Sequence, residues 1–424
     1  MKLSPLARAL YDAIAELHII DAHEHLPPEK EYLAHGYSGL NMFAHYIQGD
    51  LASAGMDPAF VASMREDTTS PVSAWWPKLK PWWEVVKHTS YSRALRVTAR
   101  DLFGIDDIND DTIADFAAKV KADNAPGLYR RVLQERCNIR VSITCVGRAD
   151  LSADPNLRQI TAMPNMWGFT CADLRKASEW AGREMRSLDD LVGTQRAILT
   201  KDLADGAVGF KTVVHAVGVP DRKAAEAEFT EALRTTDEKR FDRLTALSEV
   251  EGRVFPALRD LVFDACLDVA AEAKVPVAVH TGYWGDFRTL DPKLLFDFVV
   301  RRRDVHFDMF HLGHPMLRDA AVIAKTQPNV SANLCWLAVI SPVQTARMLD
   351  ELIDLVPVNK ITAFGGDYRV CVQKVYGHLV LAREVVASVL AKRIEAGDFD
   401  RAEAMRLARM WFIDNPTRIY RLRA

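Results

Sequence analysis

Eight short runs rich in β-branched and apolar residues punctuate this chain, and most are followed by a stretch with helical periodicity. They lie at Ile19 to His25, Arg140 to Cys145, Gln159 to Met163, Val208 to Val213, Val275 to His280, Val305 to His311, Val330 to Leu334 and Ile361 to Asp367. Strands that alternate with helices make parallel pairs whose crossovers cover the sheet. Eight such units are the number that closes a barrel. The expected fold class is therefore α/β, a (β/α)8 TIM barrel, with residues 1–424 forming one barrel-based unit.

A barrel of this kind needs roughly 250 residues, and this chain has 424. The surplus is expected in two insertions, residues 30–135 after the first strand and residues 216–255 after the fourth. The first reads as mostly helical, around Ala94 to Phe103 and Asp111 to Lys121, and could cap the barrel. Its Trp75-Trp76-Pro77 and Pro81-Trp82-Trp83 read as a satellite hydrophobic cluster rather than as substrate contacts. In the second, the charged stretch Asp221 to Arg243 reads as solvated helix. The tail continues as helix over Arg401 to Ile413, and Thr417 to Leu422 is placed to close the bottom of the barrel.

Charge and cysteine usage narrow the function classes. A net charge of -3, from 54 basic and 57 acidic residues, gives no general attraction to nucleic acid or anionic membranes. Cys137, Cys145, Cys171, Cys266, Cys335 and Cys371 form no CxxC pair, so neither a thiolate zinc site nor a disulfide framework is expected. Asp12 and Glu16 interrupt the apolar stretch of Met1 to Ile20, which does not read as a signal peptide. The expectation is a soluble cytoplasmic protein without a membrane span, acting on a small molecule and forming a homo-oligomer.

The chemistry-bearing residues sit at strand ends. Residues two apart on a strand share a face, so His23 and His25 of Asp21-Ala22-His23-Glu24-His25 point together at the carboxyl end of the first strand. Barrel enzymes place catalytic groups at that end, and neutral imidazole suits zinc and similar divalent ions. Alone, such a pair is equally an ordinary pair of partly exposed histidines. The other strand ends change the weighing, because Val275 to His280, Phe307 to His311 and Ile361 to Asp367 each finish in a metal-ligand type of residue.

As a set, DAHEHL at 21–26, PVAVHTG at 276–282, FHLGHP at 310–315 and FGGDYR at 364–369 resemble the amidohydrolase superfamily, as does NPTRIYRL at 415–422. The resemblance implies that His23, His25, His280 and Asp367 are metal ligands and that His311 binds metal or substrate. The long insertion and the GDYR ending look similar to uronate isomerases and their relatives, where an arginine at the position of Arg369 contacts a substrate carboxylate. His280 and His311, with glycines following, look more like the hydrolase and decarboxylase branches. Lys211 ends the fourth strand, where some members carry a carbamylated lysine between two metals. An unmodified cation pairing with an anionic substrate is the preferred reading. His215, Trp284, Arg288 and Trp336 follow strand ends and could line the pocket. His314 could orient His311, whereas His18, His35, His45, His88, His306 and His378 read as surface or packing residues.

The implied cofactor is a divalent metal, Zn2+ first and Mn2+ as the alternative. A zinc site with an open position lowers the pKa of water to about 7. Asp367 would manage the water proton, His311 would polarise a carbonyl, and Lys211 or Arg369 would anchor a carboxylate. The leading expectation is a metal-dependent hydrolase acting on a small carboxylate-bearing substrate. An isomerase resembling those of uronates, a metal-dependent decarboxylase and a noncatalytic ligand-binding barrel stay open as alternatives.

Overall fold

The structure, a computed structural model, describes residues 2–163, 171–213, 215–235, 239–241, 249–251 and 255–422. Its main sheet contains β1 (Ile19–Glu24), β2 (Ile139–Thr144), β3 (Leu157–Ala162), β4 (Gly209–Thr212), β5 (Val277–His280), β6 (Phe307–Phe310), β7 (Val330–Asn333) and β8 (Ile361–Thr362). These eight strands are parallel neighbours in chain order, and the fold is a (β/α)8 barrel. β1, β4, β5, β6, β7 and β8 are buried along their whole length, as expected of parallel strands covered by helices. The eight expected strand positions all match, although β8 stops at Thr362 and the chain runs on to Asp367 outside any regular strand.

By contact density the chain divides into two compact units, and the first comprises residues 1–157, 335–351 and 363–414. Here β1 pairs with β2, with an irregularity in register between Asp21 and Glu24. Between them run eight helical segments, from Glu29–His35 to Arg130–Arg136, which matches the expected helical insertion. Their core gathers on Phe43, whose ring lies 5.2 Å from Trp83, 6.1 Å from Trp75 and 6.5 Å from Phe116. Trp83 is fully buried and donates its indole N–H to the Ile108 carbonyl at 3.1 Å, satisfying its one polar atom. The tryptophan motif is thus a hydrophobic centre, as its sequence suggested. The 22-residue helix Lys374–Glu395 is mostly buried against Ser90–Phe103. Gly377 permits that approach, since a Cβ there would lie 2.0 Å from the Ala94 carbonyl oxygen.

The second unit comprises residues 158–334, 352–362 and 415–424, and carries β3 to β8. Register aligns the strand ends: His280 sits beside Phe310, and Phe310 beside Asn333. The charged stretch after β4 is only partly helix. It is helical over Arg222–Ala232, but Lys239–Phe241 then pairs antiparallel with Glu249–Glu251. The helix ends at Ala232, with Leu233 at its cap. The tail closes the amino-terminal side of these strands. Asn415 donates to the Val358 and Ile361 carbonyls at 2.9 and 2.7 Å, and Arg421 donates to the Ala273 carbonyl at 3.1 Å. Tyr420 then reaches inward and donates to the Asp308 carboxylate at 2.7 Å. Among the described residues no helix is long and apolar enough to cross a membrane, and all six cysteines are buried and outside any disulfide.

Candidate metal centre

The first unit brings His23, His25 and Asp367 together. Nε2 of each histidine lies 3.2 Å from the same carboxylate oxygen, Oδ1 of Asp367. His23 is fully buried, His25 partly exposed and Asp367 nearly buried. On its far side the His25 ring bonds the Cys145 carbonyl through Nδ1 at 2.7 Å. A carbonyl only accepts, so Nδ1 carries the proton, and in neutral imidazole Nε2 presents a lone pair. Its Nε2 meets a carboxylate oxygen at 3.2 Å, a contact completed either by a proton on Nε2 or by a cation beside the two atoms. A divalent cation is one way to complete it, and the carbonyl-bound imidazole is the arrangement metal sites use to fix a ligand tautomer. Burial alone would raise the Asp367 carboxyl, but His23 and His25 hold it well below the usual carboxylate range. Three convergent nitrogen and oxygen donors fit a borderline divalent ion.

Local backbone explains the convergence. β1 places His23 and His25 one pleat apart, with ring centroids 4.7 Å apart. Asp367 has φ +62°, a left-handed conformation rare for a non-glycine residue and concentrated at functional sites. Trp336 also has positive φ, at +66°, and stacks 4.9 Å from Tyr46. Tyr46 donates its hydroxyl proton to the Asp367 backbone carbonyl. Beside it, burial and the Lys374 cation keep His45 neutral, well below the ordinary histidine value. Burial likewise lowers Lys374 itself, to about 8, and its ammonium donates to the Ala44 carbonyl at 2.9 Å. His45 and Tyr46 belong to the insertion, and neither periodicity nor motif spacing marked them in the sequence. Arg369 is exposed and within electrostatic range of Arg65, a third residue of the same insertion that the sequence did not single out.

In the second unit His280 and His311 are hydrogen-bonded through Nδ1 and Nε2 at 3.0 Å. Thr281 fixes their strand ends, donating to the Phe310 carbonyl at 2.6 Å and accepting from the Gly313 amide at 2.8 Å. His311 has φ +64°. Trp284 lies 5.3 Å from the His280 ring. Lys211 is buried, its ammonium 4.3 Å from the Phe310 ring centroid. His215 is buried with Nδ1 2.8 Å from the Val213 carbonyl, and burial lowers it to about 4. Arg288 stands apart: its side chain is 81% exposed and paired with Asp286 at 2.7 Å. His314 is joined to Pro315 by a cis peptide, and its amide bonds the His311 carbonyl at 2.9 Å.

A parallel eight-stranded barrel with His-x-His ending its first strand and an aspartate following its last defines a barrel suited to a divalent cation. The chain belongs to the amidohydrolase family, whose profile it matches over residues 176–422, more than half its length. That stretch includes His280, His311 and Asp367 but not His23 and His25. The chain is 23% identical over 237 residues to Protein fluG of Emericella nidulans, a match covering 53% of this chain and 27% of that protein. The chain therefore corresponds to about a quarter of that relative's length. In structure it is similar to the uronate isomerase of Thermotoga maritima, with a TM-score of 0.79 and 14% identity, covering 99% of this chain and 98% of that one. It is also similar to a protein of Lactobacillus casei classed as a metal-dependent hydrolase, with a TM-score of 0.66 and 15% identity, covering 98% and 99%.

Proposed function

We propose that this protein is a metal-dependent hydrolase acting on a small, carboxylate-bearing molecule. The observation that carries the reading is the single Asp367 oxygen facing two imidazole nitrogens, one of them with its tautomer fixed by the Cys145 carbonyl. His23, His25 and Asp367 would hold the ion, and the resemblance adds His280 as a further ligand. Zinc is the preferred ion on donor chemistry, with manganese as the alternative. When bound, such an ion polarises a carbonyl and eases the ionisation of water.

This chain's own residues divide the rest of the work. Asp367 accepts the proton of the attacking water and passes it to the leaving group. His311 offers a ring nitrogen to the oxyanion that develops on the substrate. Arg369, exposed and without an ion-pair partner among the described residues, anchors the substrate carboxylate. Lys211 serves as an unmodified cation: an ammonium over the Phe310 ring face is attracted by it, whereas an anionic carbamate there would be repelled. Trp284 and Trp336 supply apolar walls and the buried His215 adds to the lining, whereas Arg288 stays with Asp286.

A second reading, isomerisation of a uronate, is favoured by likeness of fold to the Thermotoga protein and by Arg369. Purified protein should carry stoichiometric divalent metal that is lost in His23→Ala and His25→Ala. A mass-spectrometric screen of uronates, acyl amides and aromatic carboxylates then separates the reactions. Hydrolysis adds water, isomerisation keeps mass, and decarboxylation loses carbon dioxide. Absence of both metal and turnover would leave only a noncatalytic barrel.

A further inference from the structure

We infer that Glu24, with Asp21 and Gly366, is a positioning residue that holds Asp367 in register with His23 and His25. The inference rests on the reading of those three residues as metal ligands. Three successive backbone amides around Asp367 are all held by β1. Gly366 N–H donates to Asp21 Oδ1 at 3.0 Å, Asp367 N–H to the His23 carbonyl at 2.8 Å, and Tyr368 N–H to Glu24 Oε2 at 2.6 Å. The ladder continues on both sides, from Ala22 N–H to the Phe364 carbonyl and from His25 N–H to the Tyr368 carbonyl, at 3.1 and 2.9 Å. Asp21 is itself held by the Ser142 hydroxyl at 3.2 Å and the His23 amide at 3.3 Å.

Ordinary strand pairing would leave two of those three amides to backbone carbonyls. Here side-chain carboxyls replace them, which lets the segment follow β1 while Asp367 adopts its left-handed φ. Such a conformation costs roughly 1–3 kcal/mol and persists only where its surroundings over-determine it. The fit is tight on one side. A Cβ on Gly366 would stand 1.8 Å from Glu24 Oε1 and 2.8 Å from its Cδ. The residue pair Glu24 and Gly366 is therefore matched: the acid fills the space the glycine leaves. Both carboxyls are fully buried, and an apolar pair would make a cheaper core, so their retention points to orientation rather than to packing. His378 packs its ring 5.0 Å from Phe364, two residues before Gly366.

The test is Co2+ binding by the metal-stripped full-length protein, followed by visible absorption against a competing chelator, with thermal unfolding of the metal-free protein as the folding control. Glu24→Gln keeps an acceptor for the Tyr368 amide and should bind Co2+ within about threefold of wild type, whereas Glu24→Ala should bind about tenfold or more weakly with a shifted absorption band. Gly366→Ala should lose at least as much. The double variant Gly366→Ala with Glu24→Ala should lose less than the product of the two, because the added methyl then has room. Wild-type affinity and band in folded Glu24→Ala, or losses that multiply, would overturn the inference. Should Glu24→Ala not fold, Glu24→Asp replaces it, and unaltered Co2+ binding there overturns it equally. Failure of the wild type to bind Co2+ at all would instead refute the metal reading beneath it.

Discussion

Asp308 offers a measurement whose size and pH window both come from the structure. It sits in β6 with no exposed surface, accepting at Oδ2 from Asn333 at 2.8 Å and Tyr420 at 2.7 Å, while Oδ1 has no hydrogen-bond partner among the described residues. Burial raises its carboxyl to about 6, against the lowering effects of Asn333, Tyr420 and the Lys211 cation. The folded state therefore binds a proton more tightly than the unfolded chain does. Stability from this group is fully present below about pH 4 and is lost as pH rises through about 6. Two pKa units correspond to roughly 3 kcal/mol. Asp308→Asn keeps an acceptor for Asn333 and Tyr420 and cannot ionise. Relative to wild type it should gain about 3 kcal/mol between pH 4 and pH 8, which for a chain of this length is about 3 °C in the unfolding midpoint. Calorimetric scans of both proteins across that range decide the matter. An unfolding gap that stays constant with pH would refute the assignment, whatever its size.

Three further outcomes are expected. His25→Ala should abolish stoichiometric zinc or manganese in plasma-emission analysis, while its metal-free unfolding midpoint stays near that of wild type, because the His25 ring is partly exposed. Arg369→Gln should raise KM for a carboxylate-bearing substrate about 10- to 100-fold with little change in kcat, the signature of lost anchoring alone, and an unchanged KM would remove Arg369 from the site. Trp83→Ala should cost about 3–5 kcal/mol by emptying the centre of the Phe43 cluster, whereas Trp82→Ala, at a half-buried position, should cost far less; equal shifts in the two variants would contradict the packing.

Strands and the histidines and aspartate at their ends were legible because each strand end must satisfy two local rules at once, an apolar run for the barrel wall and a polar residue at its mouth. The segment after β8 reads partly wrong for the same reason. Phe364-Gly365-Gly366-Asp367 looks like a strand continuing, yet its ladder partner is the β1 backbone and the β1 acids, which no local pattern announces. Asp21 and Glu24 illustrate the limit. Alternation sends Glu24 away from His23 and His25, and nothing in DAHEHL reveals that both acids bond amides some 345 positions away. His45 and Tyr46 were invisible for a different reason: an insertion built of short helices carries no periodicity that says which residue meets Asp367. The strand pair at Lys239–Phe241 was hidden because a run of charged residues does not by itself distinguish helix from strand.

The pairing of β1 with the Gly366 to Tyr368 segment also bears on how the protein is made. Glu24 and Tyr368 are 344 positions apart. At a synthesis rate of about 5–20 residues per second, His23 and His25 would leave the ribosome roughly 17–70 seconds before Asp367 does. For that interval the nascent chain exposes a bare pair of histidines, able to bind a metal weakly or to bind the wrong one. If these residues hold the proposed metal, its loading would report that the chain has closed upon itself, and metal content measured on ribosome-bound fragments would date that closure.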